Sequence, residues 1–467
     1  MTRLSSKLQD KLSGVHFPDY DRSKVTNGIL HIGAGNFHRA HQAVYTDDIL
    51  KQDPRWGILG VSLRSPVTRD RLKAQDFLYS VREWGLGQSR YRIVGSLSGL
   101  LHIADERAEL MAAFCLSEIK VITLTVTEKG YCQTVGGDLD EGHPDILHDF
   151  SNPKAPRSMP GVLVEGLRLR RAAGVGPITI VSCDNLSGNG SVLKHVVLEL
   201  ARRVDPSLSD WCQSHVGFPE TMVDRIVPQS GEVDRSEFAR VTGARDEAPL
   251  VTESFRQWVI EDKFLAERPP WEAAGVQIVK DVALFESVKL RMLNAAHSAL
   301  AYLGMLLGYE YIHEAMGDES LATFVDYLLR HEVAPFLDAP GEMNLENYQQ
   351  SVIERFRNAA IAYTTAQVAT DGSKKLSQRI LPTIQATLEQ GGQARGLTLV
   401  VAAWLECMAD KNIAKKFSDP AKGIADEREL LATAGFNREI SRAILARFRA
   451  MKSLSYKKEI LVILADF

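Results

Sequence analysis

Short apolar runs alternate with longer helical stretches over the first part of the chain. Four runs of mostly apolar residues have the pattern of buried strands: residues 28–35, 57–63, 119–126 and 177–182. Segments typical of helices lie between them, for example 161–173 and 190–203. Strands that alternate with helices predict a parallel sheet of the α/β class.

The pattern changes near residue 280. From residue 282 onward there is little strand-like alternation, and periodic helical stretches dominate, such as 283–307, 319–334 and 394–409. We therefore predict two domains, an α/β domain over residues 1–280 and a mostly α-helical domain over residues 281–467.

The first predicted strand runs into a glycine-rich turn. Gly33 and Gly35 match the first two glycines of a dinucleotide fingerprint, whereas His38 stands at the third. Gly33 would allow the tight turn, and Gly35 would let the backbone approach a pyrophosphate at the start of a helix predicted over 36–50. Asn36 and Phe37 begin that helix and are further candidates for cofactor binding. An S-adenosylmethionine site and an ordinary strand–helix turn are the alternatives.

The end of the second predicted strand leaves the choice of cofactor open. A dinucleotide fingerprint expects an acidic residue there, on the ribose hydroxyls. This chain has Leu63-Arg64-Ser65-Pro66 instead. Arg64 could meet the 2′-phosphate of NADP, stack on the adenine or simply be solvated, so this position does not separate NAD from NADP.

The predicted helix at 283–307 carries polar residues toward one side. At 100° per residue, an arc of about 140° contains Glu286, Lys289, Asn294 and His297. A lysine in apolar surroundings loses charge stabilisation and can act as a general base, and an asparagine amide can donate to a developing alkoxide. The structural alternative is a lysine that extends to solvent, an asparagine at a kink and a core histidine.

Two further polar positions follow predicted strands or interrupt apolar runs. Asn185 lies in a polar segment directly after the strand at 177–182, where open α/β sheets bind ligands. A polar turn explains it equally well. Asp224 is an acid among apolar residues, able to hold a substrate hydroxyl or to pair with a base such as Arg225.

Taken together, these segments resemble the long-chain mannitol dehydrogenase family of polyol and sugar-acid dehydrogenases. The spacing K-x4-N-x2-H from residue 289, with SCDN upstream at 182, is highly specific. The matching segments occur in family order and cover most of the chain: GAGNFHRAHQAVYTDD at 33–48, GVSLRSP at 60–66, LTVTEKGYC at 124–132, SCDNLSGNG at 182–190, TMVDRIVP at 221–228, FRQWVIED at 255–262, KLRMLNAAHSALAYLG at 289–304 and DGSKKLSQR at 371–379.

The resemblance implies a Rossmann-type N-terminal domain, a helical C-terminal domain, and metal-independent hydride transfer between NAD, or NADP, and a secondary alcohol. It implies that Lys289 is the general base and that Glu286 relays its proton to water. Asn185 and Asn294 stand at the positions of the oxyanion-stabilising asparagines. His297, Asp224 and Lys375 match contacts to the substrate.

The resemblance leaves the substrate open. Interconversion of D-mannitol and D-fructose is the first expectation, yet LRMLN and DGSKKLSQR also resemble the fructuronate reductases. Their substrate carries a carboxylate, for which Arg379 or Lys375 could supply the cation. Gln367 stands where the polyol branch can carry an arginine. Arabinitol dehydrogenase and, more distantly, an inactive nucleotide-binding protein are further alternatives. A methyltransferase is disfavoured, because the lysine and the asparagines would have no role in it.

Composition adds mainly exclusions. The net charge of −4, from 55 basic and 59 acidic residues, predicts no nucleic-acid partner. The N-terminus lacks an apolar signal segment, and no run of about 18 apolar residues predicts a membrane helix. The five cysteines include no CxxC pair, which disfavours structural zinc and fits a reducing cytoplasm. We expect no metal, a small-molecule substrate and a monomer or weak homo-oligomer, as is common in the family.

Overall fold

The computed structural model describes residues 2–9, 11–85, 87–134, 136–341, 343–452, 459–465 and 467. The chain divides into two compact units, Met1–Val282 and Ala283–Phe467. The N-terminal unit combines strands and helices. In the described part of the C-terminal unit there are only helices, besides one isolated bridge between Tyr311 and Thr364.

A six-stranded parallel sheet forms the centre of the N-terminal unit. Its strands are β1 (Asn27–Ile32), β2 (Gly57–Ser62), β3 (Leu97–His102), β4 (Val121–Leu124), β5 (Ile178–Ser182) and β6 (Val216–Gly217). The spatial order is β6-β5-β4-β1-β2-β3, with every pair parallel. This is the Rossmann order, and the winding reverses between β1 and β4, where such sheets bind ligands. The predicted fold class is confirmed; β3 and β6 were not predicted.

Successive residues of each strand point to opposite faces of the sheet, and both faces are apolar. Leu30 and Ile32 belong to a buried core that includes helices Arg107–Phe114, Met159–Ala172 and Asn189–Val204. Ile29 belongs to a second core, which contains Val44 and Trp258. Helices on both faces explain why the strands are apolar at nearly every position.

The predicted single helix over 36–50 is wrong at one residue. His41 has φ −124° and ψ −86°, which divides the segment into helices Asn36–Ala40 and Gln42–Ile49. The His41 ring accounts for this break, because it is buried and bonded to the Gln257 carbonyl oxygen at 2.9 Å. A tertiary contact therefore overrides the local helical pattern.

Smaller sheets and further helices complete the N-terminal unit. The remaining strands are Thr2–Arg3, Val15–His16, Tyr79–Gly85, Gln88–Val94, Thr221–Asp224, Ala244–Arg245, Leu250–Glu253, Gln257–Glu261 and Gln277–Val279. The remaining α-helices are Val67–Lys73, Pro144–Ser151, Pro206–His215 and Glu232–Thr242. Thr221–Asp224 pairs antiparallel with Gln257–Glu261, which places Asp224 opposite Gln257.

The C-terminal unit is built around two buried helices, Ala295–Leu307 and Arg395–Ala409. Their alanines, leucines and the fully buried Trp404 form its core. None of the described helices is long and apolar enough to cross a membrane. The other α-helices are Ala283–Val288, Ile312–Gly317, Glu319–Tyr327, Leu345–Phe356, Thr365–Ala369, Gly372–Arg379, Leu381–Glu389, Lys411–Ala414, Glu427–Thr433, Arg438–Lys452 and Glu459–Leu464.

Two segments of this unit are π-helical, Lys289–Asn294 and Leu328–Val333. The first joins Ala283–Val288 to Ala295–Leu307, and we call residues 283–307 the lysine helix. The prediction of an uninterrupted α-helix is therefore wrong between Lys289 and Asn294. A rotation of 100° per residue does not hold in a π-helix, so the arc expected for the four polar residues does not apply.

Candidate active site

The glycine-rich turn follows β1 at the point where the winding of the sheet reverses. Gly33 has φ +98°, and its N–H donates to the Val61 carbonyl oxygen at 2.8 Å. A Cβ atom on Gly33 would lie 2.2 Å from the Thr125 carbonyl oxygen, so this position requires glycine. On Gly35 the nearest atom to a Cβ would be 3.7 Å away. The space in front of Gly35 is therefore open, as an approaching ligand needs.

The start of the following helix suits a phosphate. Gly35 is its N-cap, and no side chain caps the first turn. Free N–H groups at a helix start attract anions. Asn36 and Phe37, the first two residues of the helix, are half-buried. The local geometry thus fits a dinucleotide pyrophosphate at the predicted residues.

An imidazole pair occupies the place of the missing third glycine. The His38 ring stacks on His31 with centroids 3.3 Å apart and an angle of 12° between the planes. His31 contacts the hydroxyl groups of Thr123 at 2.7 Å and Thr125 at 3.1 Å. Because Thr125 donates its own proton to the Gly33 carbonyl oxygen at 2.7 Å, it accepts from His31 Nε2–H, and Thr123 donates to Nδ1.

Both stacked rings are neutral. Burial lowers the pKa of His31 to about 3 and moves the pKa of His38 well below its usual range, and the neighbouring His31, Arg39 and His41 side chains lower the pKa of His38 further. Two charged rings could not stack face to face at this distance. Our sequence analysis missed His31, although a histidine inside an apolar strand was a visible signal.

Arg64 lies in the exposed bend after β2, the strand next to β1. The carboxyl end of this strand is where the ribose of a bound dinucleotide lies in Rossmann domains. Arg64 therefore has the predicted location, while its exposed side chain is compatible with each of the contacts considered above.

Asn185 and Asp224 lie on segments that a buried amide ties together. Asn189 Nδ2 donates to the carbonyl oxygens of Asp184 and Thr221, both at 3.0 Å. Its Oδ1 accepts the Thr221 N–H at 3.0 Å. The loop that carries Asn185 is thus joined to the strand that ends in Asp224. Asn185 itself is exposed, whereas Asp224 is buried.

Arg225 has an extensive set of partners. Its guanidinium bonds to the Glu83 carboxylate at 2.6 Å and to the Glu253 carbonyl oxygen at 2.9 Å. The buried guanidinium thus joins strands Tyr79–Gly85 and Leu250–Glu253 to the end of strand Thr221–Asp224. These contacts give Arg225 a structural role. The sequence had offered Arg225 as a possible partner of Asp224.

Lys289 and Asn294 are the first and last residues of the π-helical segment. Each is only 7% exposed. Glu286 and His297 lie on the flanking α-helical parts, both half-buried. Single π-helical turns inside α-helices occur frequently at functional sites. The segment thus presents the lysine and the amide that the sequence analysis selected.

The Nδ2 donor of Asn294 is not used within the described part of the chain. Its Nδ2 is buried and bonds to no residue that the structure describes. Leaving such a donor unsatisfied costs about 1–3 kcal/mol, so natural proteins rarely keep one without a reason. A ligand oxygen would satisfy it. Nearby, the His297 ring packs against Phe356 and Tyr363, with centroids 4.9 and 5.6 Å apart.

Lys375 and Arg379 lie on one helix, Gly372–Arg379. Lys375 Nζ donates to the Thr370 carbonyl oxygen at 2.6 Å. The Arg379 guanidinium donates to Ser298 Oγ at 3.0 Å and to the Asn294 carbonyl oxygen at 3.4 Å. Arg379 therefore contacts the lysine helix at the end of its π-helical segment. Gln367 caps helix Thr365–Ala369, where its Oε1 accepts the Thr364 N–H at 3.0 Å.

Two family models account for most of the chain. The mannitol dehydrogenase Rossmann domain matches residues 27–273, and the mannitol dehydrogenase C-terminal domain matches residues 281–449. This chain belongs to the mannitol dehydrogenase family. As a member it is an oxidoreductase, and the resemblance stated from its sequence motifs is confirmed.

Several named relatives resemble the chain over most of its length. A D-mannonate oxidoreductase of Escherichia coli is 44% identical over 83% of this chain and 81% of its own length. A mannitol 2-dehydrogenase of Phaeosphaeria nodorum is 37% identical over 90% and 76%. The mannitol 2-dehydrogenase of Pseudomonas fluorescens, solved with NAD and D-mannitol, is 35% identical with a TM-score of 0.88 over the full length of both chains.

One group of potential metal ligands occurs among the described residues, at the surface. His195 Nε2 lies 3.1 Å from Asp138 Oδ1 and 3.5 Å from Glu199 Oε2. A hydrogen bond between His195 Nε2 and Asp138 Oδ1 accounts for the shorter of these distances. The group shares no residue with the candidate active site.

Proposed function

We propose that this family member is an NAD-dependent, metal-independent dehydrogenase that interconverts a polyol and its 2-ketose, D-mannitol and D-fructose first. The observation that carries the proposal is the buried Nδ2 of Asn294, which bonds to no described residue and lies at the end of the π-helical segment that begins with Lys289. A base and an oxyanion donor five residues apart suit the deprotonation of an alcohol as its carbon loses hydride.

NAD is the cofactor that the glycine turn and the NAD-bound relative support. Gly33 and Gly35 would hold the pyrophosphate against the helix start at Asn36 and Phe37, and Arg64 would lie beside the adenosine ribose. When bound, NAD would supply the acceptor for the hydride that leaves the alcohol carbon. The open space at Gly35 and the uncapped helix start fit this group.

The residues of the chain handle the proton and the developing charge. Neutral Lys289 takes the hydroxyl proton during oxidation, and Glu286 passes it to water. Asn294 donates to the developing alkoxide, and Asn185 is the second donor that the family pattern implies. In the reverse direction the protonated Lys289 supplies the proton to the carbonyl oxygen. His297, Asp224 and Lys375 bind the remaining hydroxyl groups.

D-Fructuronate reduction is the second candidate function. The D-mannonate oxidoreductase relative favours it. Gln367 favours it too, because the polyol branch can carry an arginine at this position, whereas Gln367 bonds to the Thr364 N–H at the start of a helix. Lys375 or Arg379 would then bind the substrate carboxylate. The contacts of Arg379 with Ser298 and Asn294 suggest instead that it supports the lysine helix.

The deciding experiment follows NADH oxidation at neutral pH with D-fructose and D-fructuronate side by side, then repeats both with NADPH. Turnover of fructose supports the proposal, and turnover of fructuronate alone supports the second candidate. Activity with neither contradicts both. The Arg379→Gln variant separates the roles of that residue, because a carboxylate clamp affects only fructuronate, whereas a helix support affects both substrates equally.

A further inference from the structure

Asp184 immediately precedes Asn185 and is 8% exposed. Its carboxylate accepts three hydrogen bonds. Thr127 N–H donates to Oδ1 at 2.8 Å, while Val126 N–H and Tyr131 O–H donate to Oδ2 at 3.1 and 2.8 Å. All three donors belong to the segment that leaves β4, so one side chain joins the exits of two neighbouring strands.

The segment after β4 is in turn fixed to the glycine turn. Thr125 donates to the Gly33 carbonyl oxygen at 2.7 Å, and Gly33 packs against the Thr125 backbone. Two residues later, Thr127 has φ +69° and ψ 160°, an extended conformation with positive φ that costs a residue other than glycine about 1–3 kcal/mol. The bonds from Val126 and Thr127 to Asp184 hold the backbone in this conformation.

These contacts form a continuous path from the glycine turn to Asn185. It runs from Gly33 through Thr125 and Thr127 to Asp184 and then to Asn185. Burying a carboxylate is costly unless hydrogen bonds compensate it. An asparagine in place of Asp184 has a single acceptor oxygen, so it could not accept from both backbone N–H groups in the same way. A carboxylate is therefore specifically suited to this position.

We propose that Asp184 is a positioning residue, which sets Asn185 at a defined distance from the dinucleotide-binding turn. The inference rests on the proposed function, in which Asn185 donates to the substrate oxygen while the glycine turn holds NAD. Hydride transfer is sensitive to such distances, since a displacement of about 1 Å can lower a rate by about 100-fold. Asp184 acts only through Asn185 and touches neither reactant.

The test is a double-mutant cycle with D184N and N185A. In the natural chain, D184N should lower kcat by about ten-fold or more and change the Kd for NADH by less than about two-fold. In the N185A background, where the positioned amide is absent, D184N should lower kcat by less than about two-fold. Equal losses in the two backgrounds would overturn the proposal, as would unchanged kcat in D184N.

A second measurement does not depend on turnover. D184N should accelerate hydrogen exchange of the Val126 and Thr127 amides while leaving exchange in β1 unchanged, whatever the substrate is. If neither sugar is turned over, the proposed function fails while exchange still reports on the link between the two segments. Unaltered exchange of these amides would refute that link.

Y131F provides the conservative variant if D184N does not fold. It removes one of the three donors and leaves both backbone bonds, so it should lower kcat by only about two- to three-fold. S182A is the matched control, because Ser182 Oγ contacts Tyr131 at 2.5 Å and accepts the Asp184 backbone N–H at 3.4 Å without bonding to the Asp184 carboxylate. A greater loss in S182A than in D184N would argue against the role of Asp184.

Discussion

The N-terminal unit and the C-terminal unit hold their candidate site residues by different means. Gly33 and Asn185 follow separate strands, and Asp224 ends a third. Hydrogen bonds that involve Thr125, Asp184 and Asn189 connect these segments. Lys289 and Asn294 belong to one helix, and a single π-helical segment sets their relation. Substitutions on the lysine helix should therefore lower kcat without lowering Tm. Substitutions in the segments that follow the strands should affect both kcat and Tm.

The largest expected effect tests the chemistry of the lysine helix. Lys289→Ala should lower kcat by about 1,000-fold, because the general base is lost, with little change in the Kd for NADH or in Tm. Steady-state kinetics and thermal unfolding check this. The control is Lys374→Ala, an exposed lysine of helix Gly372–Arg379 that should retain full turnover. Near-normal turnover of Lys289→Ala would rule out its catalytic role.

A pair of asparagines compares the two units directly. Asn294→Ala should raise the barrier by about 2.7–4 kcal/mol, the cost of one oxyanion donor, without lowering Tm, because its Nδ2 donates to no residue that the structure describes. Asn189→Ala should lower Tm by several degrees, because it breaks the bonds to Asp184 and Thr221. Measuring kcat and Tm of both variants gives the comparison, and a fall in Tm for Asn294→Ala would contradict it.

The two glycines of the turn should respond differently to the same change. Gly33→Ala should destabilise the protein by more than about 2 kcal/mol, through its positive φ and the clash with Thr125. Gly35→Ala should leave Tm nearly unchanged but weaken NADH binding at least ten-fold, since the new methyl group occupies space for the pyrophosphate. Thermal unfolding and NADH fluorescence titration separate these outcomes. Equal effects on binding and stability in both variants would be inconsistent with this division.

The smallest effect concerns acid stability. The pKa of His38 is lowered by burial, so the unfolded chain binds its proton more tightly, and stability present above pH 6.5 is lost as the pH falls. One such histidine accounts for about 1.4 kcal/mol per pH unit below that value. His38→Phe keeps a stacked ring and loses no hydrogen bond to a described residue.

The difference in Tm between pH 7 and pH 5 should therefore be smaller for His38→Phe than for the natural chain. His16→Phe, at an exposed position, serves as the control and should leave the difference unchanged. A steeper loss of stability in His38→Phe would indicate that the histidine contributes through its nitrogen atoms rather than its ring.

Several features were predictable because their causes are local. The strands at 57–63 and 177–182 are short apolar runs, and they lie within a residue or two of β2 and β5. Gly33 was identifiable because a tight turn after a strand needs a residue that tolerates positive φ. By contrast, the break at His41 depends on Gln257, more than two hundred residues away, and no local pattern indicated it.

The candidate site shows the same division between features with local causes and features that depend on tertiary packing. The residue types and spacing of Lys289, Asn294 and His297 carried the resemblance to the family, which the two family models confirm. The π-helical segment was not predictable, because hydrogen bonds to the fifth residue arise when tertiary packing compensates for poorer helical geometry.

The sequence by itself determined the α/β and helical halves, the glycine turn and the family, because periodicity and the turn act over a few residues and motif spacing is read directly from the chain. Only the tertiary structure decided that His31 and His38 stack, that Asp184 joins the exits of β4 and β5, and that Asn294 Nδ2 is buried without a partner among the described residues. Burial is the physical reason, because a side chain inside a core takes its partners from whatever the fold brings beside it.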